Sequence, residues 1–215
     1  VSGATMAQPL SVEFAGEVGS GDGLRREWLH TTVSELVNLN RGLFVSNDGG
    51  RTLQPNAESA VAAGPDHLSY FALLGRIAGI ALYHKDAIPA QLSTAFVKAV
   101  FGYPLTPDDL ESVDPDAYQQ KVVYIRDGVY ASRDGMALQE LDLTFEVELE
   151  FNDYSSVKRK RDTEELKPKG AAVPVTEENK AEYLQLFTEF RLVRGIQKQI
   201  AAFVGGMAIF VSPAI

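Results

Sequence analysis

Leu68, Phe71, Leu74, Ile77 and Ala81 recur at steps of three and four within PDHLSYFALLGRIAGIALYH, residues 65–84. That spacing predicts an amphipathic helix, with Pro65 and Asp66 at its start. Gly75 and Gly79 are four apart and share a face, which predicts a place where another backbone packs closely. A similar stripe of Leu24, Trp28, Leu29, Val33, Leu36 and Val37 predicts a helix over 24–37, and a further helix covers about 92–101. Tyr183, Phe187, Phe190, Val193, Ile196, Ile200 and Phe203 extend one stripe through a long helix capped by Thr176, with Glu177 and Glu178 in its first turn.

Two-residue alternation marks the strands. Leu10, Val12 and Phe14 alternate with polar residues in LSVEF, residues 10–14. In LDLTFEVELEF, residues 141–151, Leu141, Leu143, Phe145, Val147, Leu149 and Phe151 take one face and acids and a threonine the other, predicting a strand with one wet face. GLFVSNDGGRTLQPN reads as a short hairpin turning at Asp48-Gly49-Gly50 and ending at Pro55. Residues 152–161 read as a loop or hairpin, and ELKPKGAAVPV as extended chain. In LTPDDLESVDPDAY, Thr106-Pro107 and Asp114-Pro115 predict two successive capped helix starts, which accounts for the acids there without invoking catalysis. The fold class is α+β: mostly helical, with short antiparallel strand pairs.

Composition narrows the chemistry. The 215 residues include no cysteine, which removes disulfides, Cys-based zinc sites and any thiol nucleophile. At 45% apolar and 23% charged the chain can form a core without a staple. A net charge of −9 disfavours general nucleic-acid binding. IAAFVGGMAIFV, residues 200–211, is too short to span a bilayer, which needs about 20 apolar residues. Partners among nucleic acids and membranes are therefore not expected, and cytoplasmic placement is, with the nucleus also open.

No familiar catalytic constellation is present. His30, His67 and His84 have no metal-ligand spacing, so no metal or cofactor is expected, and there is no GxSxG elbow. Gly16, Gly19, Gly21 and Gly23 have neither the spacing nor the lysine of a phosphate loop, and Glu17 and Asp22 carry the wrong sign. His84, beside Lys85, suits a helix C-terminus better than general-base work. Lys158-Arg159-Lys160-Arg161 is followed by Asp162, Glu164 and Glu165 and reads as a solvated loop tip.

The order of the motifs is more specific than any one of them. VEFAGE, LRREW, GLF, DHLSYFALLGRIAGIALYH, PLTPDDLESVDPDAY, LDLTFEVELEF, ELKPKG, VTEENKAEYLQLF and RLVRGIQKQIAAFVGG follow one another from Val12 to Pro213. This series resembles the N-terminal lobe of HECT-type ubiquitin ligases. The resemblance implies a bilobal parent that accepts ubiquitin from a conjugating enzyme on a cysteine and passes it to substrate lysines. Residues 10–215 would be the larger subdomain of the N-lobe, after an N-terminal extension, 1–9. The conjugating-enzyme-docking subdomain and the cysteine-bearing C-lobe would lie beyond it, and the isolated chain would be inactive. Implied partners are ubiquitin, protein substrates and, through the missing parts, a conjugating enzyme.

Some members also bind a second ubiquitin non-covalently, through an aromatic residue before the GLF-like motif and a phenylalanine late in the long helix. Phe203 fits the second position, with an ordinary core role as the equal alternative, while Asn40 and Arg41 stand where aromatics are usual, which weakens the anchor. Glu27 and Trp28 hold the REW-like register, although the glycines before them are scattered. The alternative is a truncated, non-catalytic module that binds ubiquitin or substrate.

Overall fold

The computed structural model describes residues 22–47, 49–150 and 161–210. The LSVEF strand, the glycine-rich loop up to Gly21 and most of the basic cluster lie outside the described residues. The chain divides into two compact units, one taking the residues up to Gly102 and those from Ile196 onward, the other Tyr103–Gly195.

In the first unit, α1 (Asp22–Leu36) begins two residues before the predicted start. The hairpin is present but short: β1 (Phe44–Val45) pairs antiparallel with β2 (Gln54–Pro55). Pro55 ends the hairpin as its last residue, paired with Phe44. A single turn, α2 (Ser59–Ala62), precedes α3 (His67–His84). The helix α4 (Thr94–Val100) starts where the Ser93 hydroxyl accepts the Phe96 N–H at 3.1 Å, a cap that the apolar pattern alone does not show.

In the second unit, short helical pieces follow one another: α5 (Pro115–Ala117), a π-helical turn over Tyr118–Val123, α6 (Tyr124–Arg126) and α7 (Val129–Ser132). Asp114 caps as its sequence context predicts, accepting the Ala117 N–H at 3.0 Å. The preceding start is present too: Thr106 is the N-cap of a 3-10 turn, Pro107–Leu110, with Pro107 at its first position, and in its capping box the Thr106 N–H and hydroxyl both donate to the Asp109 carboxylate, at 2.8 and 3.1 Å. β3 (Glu146–Glu150) pairs antiparallel with β4 (Arg161–Glu165). The predicted strand over 141–151 is therefore only half formed. Asp142 has φ 48°, which turns the chain. Residues 143–145 bond instead to the 170–175 segment: Leu143 accepts the Val175 N–H, and Phe145 donates to Gly170 and Val173. The side chain of Phe145 is buried there, edge-on to Tyr183 at 5.5 Å and under the Lys167 ammonium at 3.7 Å.

The predicted long helix is two helices. α8 (Lys180–Leu192) and α9 (Gln197–Met207) are separated by a 3-10 turn, Arg194–Ile196. Gly195 breaks the stripe at a residue of poor helix propensity, and Val193 departs from helical geometry with φ −124°. Thr176 does not cap α8; its N–H donates to the Asn179 side chain at 2.8 Å.

The core of the first unit joins Leu29, Val33, Phe44, Phe71, Leu74, Ile77, Phe96 and Phe203, with Trp28 packed against it; Glu27 is exposed. The backbone that packs on α3 is that of α9. A Cβ on Gly75 would lie 2.0 Å from the Phe203 carbonyl oxygen, and one on Gly206 would lie 2.0 Å from that of Ala72. Gly79 meets the Met207 carbonyl and Phe210 in the same way, at 3.1 and 3.0 Å.

One ion-pair cluster ties α1 to the end of α3. Arg25 and Arg26 donate through Nε to the two oxygens of Asp86, at 2.9 and 3.2 Å. The Arg25 hydrogen bond, opposed by burial and aided by Arg26, holds the Asp86 carboxyl below the usual carboxylate range. A carboxyl depressed in the folded state contributes stability above its unfolded value, about pH 4, and loses it as pH falls through the lower folded value. Asp86→Asn should therefore be less stable than the parent at pH 7, and the two should converge in acid, as pH falls through the lowered folded value. Denaturant unfolding at pH 7 and in acid measures this; an equal gap at both would show that Asp86 acts by packing alone.

Candidate functional site

Asn40 and Arg41 sit on a 3-10 turn, Leu39–Arg41. Asn38 opens the turn by accepting the Asn40 N–H at 3.0 Å. Gly42 closes it at φ 72°, where a side chain would be strained and a Cβ would come within 2.6 Å of the Ala62 Cβ. The turn is thus pressed onto α2. The Asn56 side chain donates to the Gly42 carbonyl at 2.9 Å, and the Asn56 carbonyl accepts from Gln199 Nε2 at 3.1 Å. Gln199 also donates to Ser59 Oγ at 3.0 Å, and Ser59 is paired with His67 Nδ1 at 2.9 Å. Ser59, His67 and Gln199 are buried, so the turn is held by a satisfied polar chain running to α3 and α9.

Both candidate residues on the turn are exposed, and Arg41 pairs with Glu35 at 2.6 Å. The Glu35 hydrogen bond and charge hold the Arg41 guanidinium in its charged form. Phe203 is elsewhere. It is 3% exposed, edge-on to Phe96 at 5.2 Å, with its backbone against Gly75. The structure does not bring Phe203 to the surface that carries Asn40 and Arg41.

A family model described as HECT-domain (ubiquitin-transferase) matches residues 30–214. The chain belongs to the HECT family. It is 39% identical over 211 residues to the E3 ubiquitin-protein ligase HACE1 of Xenopus tropicalis, covering 98% of this chain and 21% of that protein. The Homo sapiens protein of the same name is 38% identical over 213 residues, 99% of this chain and 22% of that one. The E3 ubiquitin-protein ligase Smurf1 of Drosophila melanogaster is 39% identical over 203 residues, 94% of this chain and 18% of that protein. The chain spans about a fifth of the length of these curated relatives.

Within this HECT chain the described residues hold no cluster of metal-ligating side chains, and no helix is long and apolar enough to cross a membrane. Two titratable groups in the second unit are perturbed by burial. The Tyr183 hydroxyl is pushed up to about 12, and the Lys121 ammonium is lowered, partly offset by Glu148. Tyr183 packs on Phe145 and Phe187, an aromatic setting that explains it as core. With no thiol in the sequence, the chain itself offers nothing to accept a ubiquitin thioester.

Three exposed apolar residues on α2 and α3 escape the stripe-based reading: Tyr70 at 39% exposure, Leu73 at 40% and Val61 at 87%. Tyr70 and Leu73 are spaced i, i+3 but lie off the buried stripe of α3, and Val61 adjoins Ala62 beneath Gly42. Apolar residues off a helix's buried stripe were the available sequence signal.

Proposed function

We propose that this chain is scaffold from the larger N-lobe subdomain of a HECT ubiquitin ligase, whose parent carries ubiquitin from a conjugating enzyme through a cysteine thioester to substrate lysines. The observation that carries this is the match of the HECT family model over residues 30–214, together with the motif order that runs through the same span. The chemistry is acyl transfer split into two steps by a thiolate, which a region beyond these 215 residues must supply. Cytoplasmic placement belongs to the same proposal. The test is a chimera in which this chain replaces the aligned residues of the Xenopus tropicalis HACE1. Incubated with charged conjugating enzyme, the chimera should form a thiol-sensitive ubiquitin adduct, and the isolated chain should form none. A folded chimera without the adduct, or an adduct on the isolated chain, would sink the proposal.

A second reading, a non-catalytic module that engages ubiquitin, rests on the exposed Tyr70 and Leu73 of α3 and Val61 of α2. Aromatic residues supply much of the energy of such patches, so Tyr70 takes the anchoring role for which Asn40 and Arg41 are poorly suited.

A further inference from the structure

At the junction of α1 and the end of α3 the first unit has an open cavity of about 490 Å³ that the ubiquitin readings do not use. Its wall carries Arg26, His30, Lys85 and Asp86, and its floor is Leu29 and Pro89. Among the described residues the charges do not cancel. Both Asp86 oxygens are already taken by Arg25 and Arg26, and the Asp86 side chain is 4% exposed. The carboxylate is therefore spent on two guanidinium groups, and Lys85 adds a further positive charge. Arg26 is 71% exposed and, among the described residues, is engaged only through Nε. His30 lies one turn after Arg26 on the same face of α1. Among the described residues neither the His30 ring nor the Lys85 ammonium has a partner. Lys85 is held in place by its own backbone: at φ 57° it caps α3, and its N–H is bonded to the helix's last turn.

A positive cavity on a chain of net charge −9 selects for a ligand of the opposite sign. Its size is that of a small-ligand site. The cations stand on two different elements rather than converging on a point, and the negative end of the α3 dipole borders the cavity, which disfavours a compact dianion there. Separated single charges beside an apolar side chain suit both the donors and the Leu29–Pro89 floor. We propose that this cavity binds an acidic peptide segment, with carboxylates on Arg26, His30 and Lys85 and an apolar side chain on the floor. The site is independent of any role in ubiquitin transfer.

The probe is a blocked peptide Glu-Leu-Glu-Glu, titrated into the isotopically labelled chain with amide shifts as the readout. Its Gln-Leu-Gln-Gln counterpart and inorganic phosphate are the controls. Shifts should centre on Arg26, His30 and Lys85 and weaken as salt is raised. Arg26→Gln and Lys85→Asn should each weaken binding by about fivefold. Asparagine is chosen at position 85 because it tolerates the left-handed backbone, and an unchanged unfolding midpoint shows that the variants are folded. Equal binding of the Gln peptide, unaffected binding by both folded variants, or phosphate binding as tightly as the acidic peptide would each overturn the proposal. So would binding that appears only in Glu17→Gln, because the cavity would then belong to the chain's own N-terminal segment.

Discussion

Gly75→Ala should destabilise the chain by about 3 kcal/mol, although the same substitution in an unpacked helix stabilises by up to about 1 kcal/mol. Alanine is the better helix former, so the sign depends on what the methyl group meets. At position 75 it meets backbone: the Phe203 carbonyl oxygen at 2.0 Å, its carbon at 2.8 Å and the Cα at 3.0 Å. No rotamer relieves that contact. α9 has to slide or tilt away from α3, which opens the interface that buries Phe71, Leu74, Ile77 and Phe203. Gly206→Ala should cost a similar amount, because its methyl meets the Ala72 carbonyl oxygen at 2.0 Å from the other side. Gly205 is the internal control. It is exposed, adjacent in sequence, and a Cβ there has nothing within 4 Å. Gly205→Ala should therefore stabilise by about 0.5–1 kcal/mol. Denaturant unfolding of the three variants separates the effects. If Gly75→Ala were as stable as the parent, the close α3–α9 approach would be wrong, and if Gly205→Ala lost as much as Gly75→Ala, helix propensity rather than packing would be the cause.

The same interface shows what apolar periodicity reveals and what it hides. The stripe of α3 and the Gly75–Gly79 spacing are local patterns, so the helix and its close-packing face could be read from the sequence, but the identity of the packing partner could not. That partner, α9, is more than 100 residues away in sequence and was hidden within a single apolar stripe running through Gly195. Continuity of the stripe did not reveal the break, because the apolar positions continue on both sides of the 3-10 turn. Residues 141–151 misled in a related way. Their alternation is faultless, yet Asp142 takes a left-handed turn and the ladder begins only at Glu146. Asx and Thr residues also exchange roles easily: at 176–179 the bond runs back from the predicted cap, Thr176, to the later amide of Asn179. At the candidate site, the sequence placed Asn40 and Arg41 through their neighbouring motif. Tyr70 lies on α3, about 30 residues further along the chain, so no local pattern could join it to them.

Phe203→Ala should cost about 3–5 kcal/mol of stability. The ring is 3% exposed, stands edge-on to Phe96 at 5.2 Å and helps to wall an apolar pocket with Leu82, Val97 and Met207. Truncation removes the buried area and the aromatic pair, which alone is worth about 0.5–1.5 kcal/mol, and enlarges a pocket that α9 cannot collapse to fill while Gly75 and Gly206 fix its distance from α3. A surface anchor would behave differently: its truncation would leave the unfolding midpoint nearly unchanged and abolish binding. Tyr70→Ala supplies that comparison. At 39% exposure it should change stability by less than about 1 kcal/mol, yet in an NMR titration with ubiquitin it should erase the shifts expected at Asn40, Arg41 and Leu73. Phe203→Leu, which keeps most of the volume, should retain both the fold and those shifts. Should Phe203→Leu abolish the shifts in a folded chain while Tyr70→Ala leaves them intact, the binding energy would lie at Phe203 after all, and its side chain would have to leave the core to engage a partner.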